Sequence, residues 1–123
     1  MGFGDAIKSG FSNYVNFSDR ASRSEYWYWV LFVVLAEIVT SIIDYAIGYE
    51  VTTSLFGLAV LLPGISVAIR RLHDLDRSGW WVFLVCIPLI GAIVLIIWYC
   101  SRGTEGPNRF GPDPLAALAL AHA

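Results

Sequence analysis

The sequence predicts an all-α integral membrane protein with three transmembrane helices and an N-terminal helix in the membrane interface. Of its 123 residues, 57% are hydrophobic and 15% are charged, and the mean hydropathy is +0.64, so the chain is more apolar than soluble domains are. Three apolar runs each approach the ~20 residues that cross a bilayer. The remaining residues are too few to bury three such helices in water or to build a catalytic domain. We therefore expect no enzyme.

The first element is the interfacial helix. Phe3, Ile7 and Phe11 recur at helical spacing with polar residues between them, which is typical of a helix lying on a membrane. Ser22 and Glu25 then form an S-x-x-E capping box ahead of the first apolar run. This pattern predicts that the first spanning helix begins near Ser22.

The predicted spans cover about 26–47, 51–69 and 80–100. The second and third carry no charged residue, so neither has the wet face that an amphipathic helix of a soluble protein needs. Pro63 with Gly64 and Pro88 with Gly91 interrupt these two spans and predict kinks. Broken helices also form ligand sites in transporters, which is the alternative interpretation.

A turn-rich segment and a low-complexity tail follow the third span. Residues 103–114, GTEGPNRFGPDP, contain three Gly and three Pro, so they predict turns rather than a helix. We assign 1–114 to a single membrane domain and 115–123 to the tail.

The basic residues predict the orientation. Six of them lie before the first span or between the second and third, whereas Arg102 and Arg109 follow the third. The excess predicts a cytoplasmic N-terminus and an external C-terminus. The pattern of a cleaved signal peptide is not seen, so the first span is expected to stay in the protein.

Four separated stretches carry a family resemblance: FSDRASRSEYW at 17–27, LLPGISVAIRRLHDLDRSGWW at 61–81, IPLIG at 87–91 and GPNRFGPDP at 106–114. Together they resemble the bacterial inner-membrane family known as domain of unknown function 805. The chain departs from the family's usual Gly, Gly and Pro at Asp19, Asp76 and Glu105, which affects the expected turn geometry. The resemblance implies a small multi-pass protein of the inner (plasma) membrane without an assigned activity, and it supplies no catalytic residues.

A basic cluster is the first candidate site. If the second helix continues, Arg70, His73, Asp74 and Arg77 share one face, and we expect Asp74 to neutralise Arg70 and Arg77 while the arginines anchor the helix in the headgroup zone. Alternatively, the arginines on this side bind an anionic lipid headgroup or a partner protein. The candidate residues for that binding are Arg20, Arg23, Arg70, Arg71, His73, Asp74 and Arg77. A catalytic His73–Asp74 pair is disfavoured because neighbours on a helix point apart and no nucleophile motif accompanies them.

Four polar residues within the first span form the second candidate site. Glu37, Thr40, Ser41 and Asp44 predict a polar stripe along one helix face. An ionised carboxylate at the bilayer centre costs roughly 3 kcal/mol, so Glu37 is expected to be neutral or to bond Ser, Thr, backbone or a second copy of the chain. The alternative is a proton-coupled carboxylate of a small transporter or channel subunit.

The composition also limits the partners. The formal net charge is −2, so the chain does not have the excess of Lys and Arg that is typical of nucleic-acid binders. Cys86 and Cys100 lie about 21 Å apart along one predicted helix, too far for a disulfide within it. Cys and His do not have the spacing of a metal site, so neither metal nor cofactor is expected. The leading hypothesis is a structural or interaction module whose partners are membrane lipids, a second copy or another membrane protein.

Overall fold

A computed structural model describes residues 2–116 as four α-helices and one 3₁₀ helix. The α-helices are α1 (Phe3–Ser12), α2 (Arg23–Ile47), α3 (Thr52–Asp74) and α4 (Ile90–Cys100), and the 3₁₀ helix spans Gly79–Cys86. The all-α prediction is confirmed for this part of the chain. Most of the low-complexity tail predicted for 115–123 lies outside the described residues.

The two long helices form an antiparallel pair with apolar outer faces. At 1.5 Å per residue, the 25 residues of α2 and the 23 of α3 reach about 37 and 34 Å, which is enough to cross the ~30 Å hydrocarbon. Both are apolar enough for a membrane span. The outward side chains include Ile42 and Leu58, each about two-thirds exposed. These helices match the first two predicted spans.

The ends of α2 follow from local chemistry. The Ser22 hydroxyl accepts a hydrogen bond from the Glu25 N–H at 3.3 Å, so the predicted cap and helix start are confirmed. The Glu25 carboxylate does not complete the box, because it bonds elsewhere. Gly48 ends the helix with φ +82°, a left-handed conformation that favours glycine.

Helix α1 packs across α2 and α3 rather than lying apart from them. Trp29 of α2 is buried in a cluster with Ala21, Val60 and Val67. A Cβ at Gly10 would come within 2.3 Å of the Trp29 ring. Gly10 therefore weakens α1 as a helix former but allows this close approach. The predicted helix is confirmed, and its position at a membrane surface stays a prediction.

The third apolar run forms a short hairpin, Gly79–Cys100, instead of one helix. The 3₁₀ helix ends at Cys86, Leu89 takes φ +62°, and α4 begins at Ile90. A Cβ at Gly91 would lie 1.7 Å from the Leu84 carbonyl oxygen, so the two arms touch at the backbone. The eleven residues of α4 reach about 16 Å, roughly half of the hydrocarbon thickness. A third crossing is not confirmed.

Both ends of the short hairpin lie at the same end of the α2–α3 pair. A Cβ at Gly79 would touch Ile69 near the end of α3, and Trp27, near the start of α2, donates to the Tyr99 carbonyl at 3.1 Å. The hairpin therefore begins and ends at one end of the α2–α3 pair. Because the chain reverses at Pro88 and Leu89, residues 79–100 do not form a single helix.

The C-terminal segment, 101–116, lies at this same end. Asn108 donates to the His73 carbonyl at 2.9 Å, and Arg20 donates to the Gly106 carbonyl at 2.7 Å. The expectation that this segment lies opposite Arg20 is wrong, because it assumed that residues 80–100 cross in one helix.

Candidate functional site

Five buried charged residues meet where α2 begins and α3 ends. Arg20 precedes α2, Glu25 lies in its first turn, and Arg70, Arg71 and Asp74 lie in the last turns of α3. None exposes more than 6% of its surface. We call these five residues the arginine network.

One half of the network joins α2 to α3. The Arg70 guanidinium lies 2.6 Å from a Glu25 carboxylate oxygen, which also accepts from the Ser9 hydroxyl at 2.8 Å. Arg70 Nε donates to the Ser66 hydroxyl at 3.3 Å. Its Nη2 is buried without a hydrogen-bond partner among the described residues.

The other half is centred on Asp74, which bridges two guanidinium groups. One carboxylate oxygen lies 3.0 Å from Arg20 Nη2, and the other pairs with Arg71. The expected pairing of Asp74 with Arg70 and Arg77 is wrong. Helix α3 ends at Asp74, and Arg77 lies beyond a turn, with its guanidinium 4.1 Å from the Trp98 ring centre. Of the four residues expected on one helix face, Arg70, His73 and Asp74 are buried, whereas Arg77 is half-buried.

Backbone carbonyls accept most of the remaining guanidinium donors. Arg20 donates to Thr104, Gly106 and Gly111. Arg71 donates to Ala21, Tyr99 and Ser101. The last carbonyls of a helix have no partner within it and carry partial negative charge, so the cations satisfy the end of α4.

The contacts of the arginine network connect segments that are distant in the sequence. Three guanidinium groups against two carboxylates leave one positive charge, and a buried charge is tolerated when it is paired and hydrogen-bonded. Each guanidinium lies against a carboxylate, and among the described residues Nη2 of Arg70 is the donor left without a partner. Arg70 joins α3 to α2 through Glu25. Arg71 joins α3 to the end of the short hairpin, and Arg20 joins the segment before α2 to the C-terminal segment. Sequence reasoning selected these arginines but missed Glu25 as an ion-pair partner and the carbonyls as acceptors. The charge of Glu25 next to the basic segments was the available signal for the pair.

His73 lies beside the network without joining it. Its Nδ1 is 3.0 Å from the Asp19 carbonyl oxygen, and its ring stacks on Phe110 with 3.9 Å between ring centres. Asp74 bonds to arginines instead. The structure therefore does not bring His73 and Asp74 together as an acid–base pair.

Asp113 closes the turn of the C-terminal segment. Its carboxylate accepts from the Gly106 and Leu115 N–H groups at 3.0 and 2.9 Å. Burial raises its pKa, but these hydrogen bonds outweigh that effect and hold the pKa below its usual value. The stabilisation is present at neutral pH and is lost as the pH falls through this lowered pKa.

The predicted polar stripe of α2 divides into two faces. Asp44 accepts from the Thr52 and Thr53 N–H groups at 2.8 and 2.9 Å, so it caps α3. Thr40 lies 3.3 Å from the Thr53 hydroxyl on the same face.

Glu37 and Ser41 lie on the other face and line an open groove of about 570 Å³. Its lining residues, which all belong to α2, are Val33, Val34, Glu37, Ile38, Ser41, Ile42 and Tyr45. We call it the Glu37 groove. Among the described residues, the Glu37 carboxylate has no hydrogen-bond partner, so its expected bonding stays a prediction.

Arg23 lies outside the arginine network, at the exposed start of α2. It lines a groove of about 400 Å³ with Ser24, Trp27, Tyr28 and Leu31, which we call the Arg23 groove. One guanidinium nitrogen donates to the Cys100 carbonyl at 3.1 Å. Within residues 2–116, Arg23 has no carboxylate within ion-pair distance, and no group of three His, Cys, Asp or Glu side chains is placed to hold a metal.

Comparisons with known proteins identify the family. The model of a family described as "Protein of unknown function (DUF805)" matches residues 14–112. The chain is 44% identical over 108 residues to inner membrane protein YhaH of Escherichia coli K12, covering 83% of this chain and 89% of that one. It is 45% identical over 104 residues to inner membrane protein YhaI of the same strain, covering 83% and 88%.

A more distant relative is the uncharacterized protein YiiR of Escherichia coli K12, which is 27% identical over 124 residues and is matched over 85% of its length by 80% of this chain. No solved structure matches. The names of these relatives state no enzymatic activity. The expectation that the chain is not an enzyme stays a prediction. The family match covers most of the chain, and the stretches that carry the resemblance lie within or overlap it: the chain belongs to the DUF805 family of proteins of unknown function.

Proposed function

We propose that the protein is a structural or interaction module of the bacterial inner membrane that holds anionic lipid at its cytoplasmic edge. The names of YhaH and YhaI support the location, and the apolar outer faces of α2 and α3 support insertion. The observation that carries the lipid assignment is the Arg23 groove, which the exposed Arg23 lines together with aromatic and aliphatic side chains.

The distribution of charge supports the orientation. All eight Lys and Arg residues belong to segments at the end of the molecule that contains the arginine network. Cytoplasmic segments of membrane proteins carry such an excess. We therefore propose two crossings, with this end in the cytoplasm and the short hairpin entering the bilayer from that side.

The arginines divide into two roles. Three of them are buried and bonded within the chain, namely Arg20, Arg70 and Arg71. We propose that these three and Asp74 affect lipid or partner binding indirectly, because they stabilise the structure that presents the binding surface. Arg23 retains donors beyond its bond to Cys100. A guanidinium binds phosphate through two parallel hydrogen bonds, and Trp27, Tyr28 and Leu31 offer an apolar surface to the acyl chain. Each basic residue near an anionic surface contributes about 1 kcal/mol.

Lipid retention tests this assignment. We expect Arg23→Gln to reduce the phosphatidylglycerol that remains bound in native mass spectrometry about fivefold, from the roughly 1 kcal/mol of one surface cation. Arg102→Gln is the matched control, because Arg102 is also exposed and pairs with Glu105 at 2.7 Å outside the groove. Equal retention by wild type and Arg23→Gln would overturn the proposal.

The Glu37 groove favours a second candidate function, a small transporter or channel subunit. A carboxylate at mid-membrane depth is costly without a partner, and Glu37 lines an open groove with Ser41. Proton coupling would use this carboxylate, whereas a second copy of the chain covering the groove would bond it.

Liposome measurements separate these two roles. A transporter predicts pH-driven proton flux that Glu37→Gln abolishes, with Glu50→Gln, outside the span, as the control. Absence of flux in wild type, together with a change from dimer to monomer on Glu37→Gln, would exclude the transporter and favour self-association.

A further inference from the structure

A cavity of about 570 Å³ lies between the C-terminal half of α3, the 3₁₀ helix and the C-terminal segment. Its volume falls within the ~300–1,000 Å³ of small-molecule sites. The described residues that line it are apolar apart from His73 and Ser78, and none is Lys, Arg, Asp or Glu. We call it the His73 cavity. Its walls suit an apolar chain with an uncharged polar head, unlike the Arg23 groove.

His73 presents a fixed hydrogen-bond acceptor to this cavity. Since the Asp19 carbonyl can only accept, Nδ1 must carry the hydrogen in the 3.0 Å contact. In the neutral ring, Nε2 is then an acceptor. The side chain is 6% exposed, and among the described residues no group hydrogen-bonds Nε2. A Cβ at Gly79 would lie 3.4 Å from Nε2, which places this nitrogen on the cavity wall beside Gly79.

The cavity has a polar end and an apolar end. Ile65 and His73 both line it, and eight residues of helix separate them by about 12 Å. His73 lies next to the arginine network, at the charged end of the molecule, whereas Ile65 lies toward the apolar middle of α3. Trp80 and Phe83 at the rim are 78% and 58% exposed. A ligand would therefore enter from the bilayer with its head toward His73.

We propose that the His73 cavity binds a membrane lipid whose uncharged head bears a free hydroxyl, which donates to His73 Nε2. The acyl chain lies against Ile65 and Ile69. This site is separate from the Arg23 groove in position and in ligand charge, so each proposal stands or fails without the other.

Photolabelling tests the site. The full chain is placed in phosphatidylcholine nanodiscs, whose lipid has no hydroxyl head, and is labelled with a monoacylglycerol carrying a diazirine in its chain. We expect the labelled peptides to fall within 61–86. Monoolein is expected to compete at about one-fifth of the concentration that methyl oleate requires, which is the scale of one neutral hydrogen bond. The two competitors share an acyl chain and differ in the hydroxyl head.

Two substitutions of one residue supply the control. His73→Asn keeps an N–H for Asp19 and lacks Nε2, so the preference for monoolein should disappear. His73→Gln places an amide near the Nε2 position and should retain it. Val85→Trp, at a rim position that is 64% exposed, should reduce labelling without changing His73.

Three results would overturn the proposal. They are equal competition by the two esters in wild type, a preference for monoolein that persists in His73→Asn, or labelling spread over the outer face of α2. If His73→Asn fails to fold, loss of labelling in Val85→Trp still supports the cavity, and unchanged labelling there rejects it.

Discussion

Arg71 is the most deeply buried charge of the molecule as described, with 0% of its surface exposed. Its guanidinium meets acceptors from four parts of the chain, namely Ala21, Asp74, Tyr99 and Ser101. Such a planar fork of five donors can bond several fixed acceptors at once, whereas the lysine ammonium is a point charge. The position therefore requires arginine geometry as well as positive charge.

We expect Arg71→Gln to lower the free energy of unfolding by about 3–5 kcal/mol, because removing one partner leaves buried polar groups uncompensated. Arg71→Lys is expected to recover less than half of this loss. Unfolding by sodium dodecyl sulfate in mild detergent micelles, followed through the helical circular dichroism signal, measures the change. Arg102→Gln, which breaks an exposed pair worth about 0–1 kcal/mol, is the control. If Arg71→Gln behaved like Arg102→Gln, the assembly role would be rejected.

At this scale the sequence indicates residue types but few of their partners. The sequence singles out the basic residues but not their partners, since Arg70 pairs with Glu25 and Asp74 with Arg20, at sequence separations of 45 and 54. Helical spacing describes neighbours within one helix, so it cannot report a pair formed between two. The carbonyl acceptors carry no sequence signal, because every residue has one.

The short hairpin depends on a backbone contact between its two arms. A side chain at Gly91 would meet the Leu84 carbonyl oxygen at 1.7 Å, and a backbone atom cannot move aside as a flexible side chain can. By contrast, a Cβ at Gly57 in α3 would have nothing within 4 Å. Substitution by alanine can therefore be compared at a glycine without room for a Cβ, Gly91, and at one with room for it, Gly57.

We expect Gly91→Ala to destabilise the protein by at least the ~1–3 kcal/mol that overpacking costs. Gly57→Ala should be neutral or stabilising by about 0.5–1 kcal/mol, since alanine is the better helix former. The same detergent unfolding measures both. Equal stability of the two variants would show that the arms of the hairpin do not touch as described.

Element prediction succeeded where local chemistry decides the outcome. Ser22 sets the start of α2, and two long apolar runs form α2 and α3. The prediction of a single spanning helix over 80–100 is wrong, because a run of apolar residues does not indicate where the backbone reverses direction. Pro88, which cannot donate, and Gly91, which admits a carbonyl, were the available signals. Because single prolines usually kink a helix, these residues predict a kink rather than a reversal.

At the scale of the whole molecule, the hairpin changes the charge asymmetry. With a third crossing, Arg102 and Arg109 would lie opposite the other six basic residues. With the hairpin, all eight lie at one end, and Arg109 contacts Asp76 there at 3.2 Å. The connection at 48–51 at the other end has no Lys or Arg. The orientation signal is therefore stronger in the folded protein than in a count that assumes three crossings.

Reporter fusions test this topology. With the N-terminus in the cytoplasm, two crossings return the chain to the cytoplasm. A green fluorescent protein fused after Ala123 should therefore fluoresce, and alkaline phosphatase at the same position should be inactive. Alkaline phosphatase fused after Glu50, at the far end of α2, should be active, because a single crossing places it outside. Active phosphatase at both positions would restore the third crossing and would separate the C-terminal segment from Arg20 by the full membrane. The hydrogen bonds of Arg20 to Thr104 and Gly106 at 2.6 and 2.7 Å cannot form across that distance, so the same result would also exclude the arginine network as described.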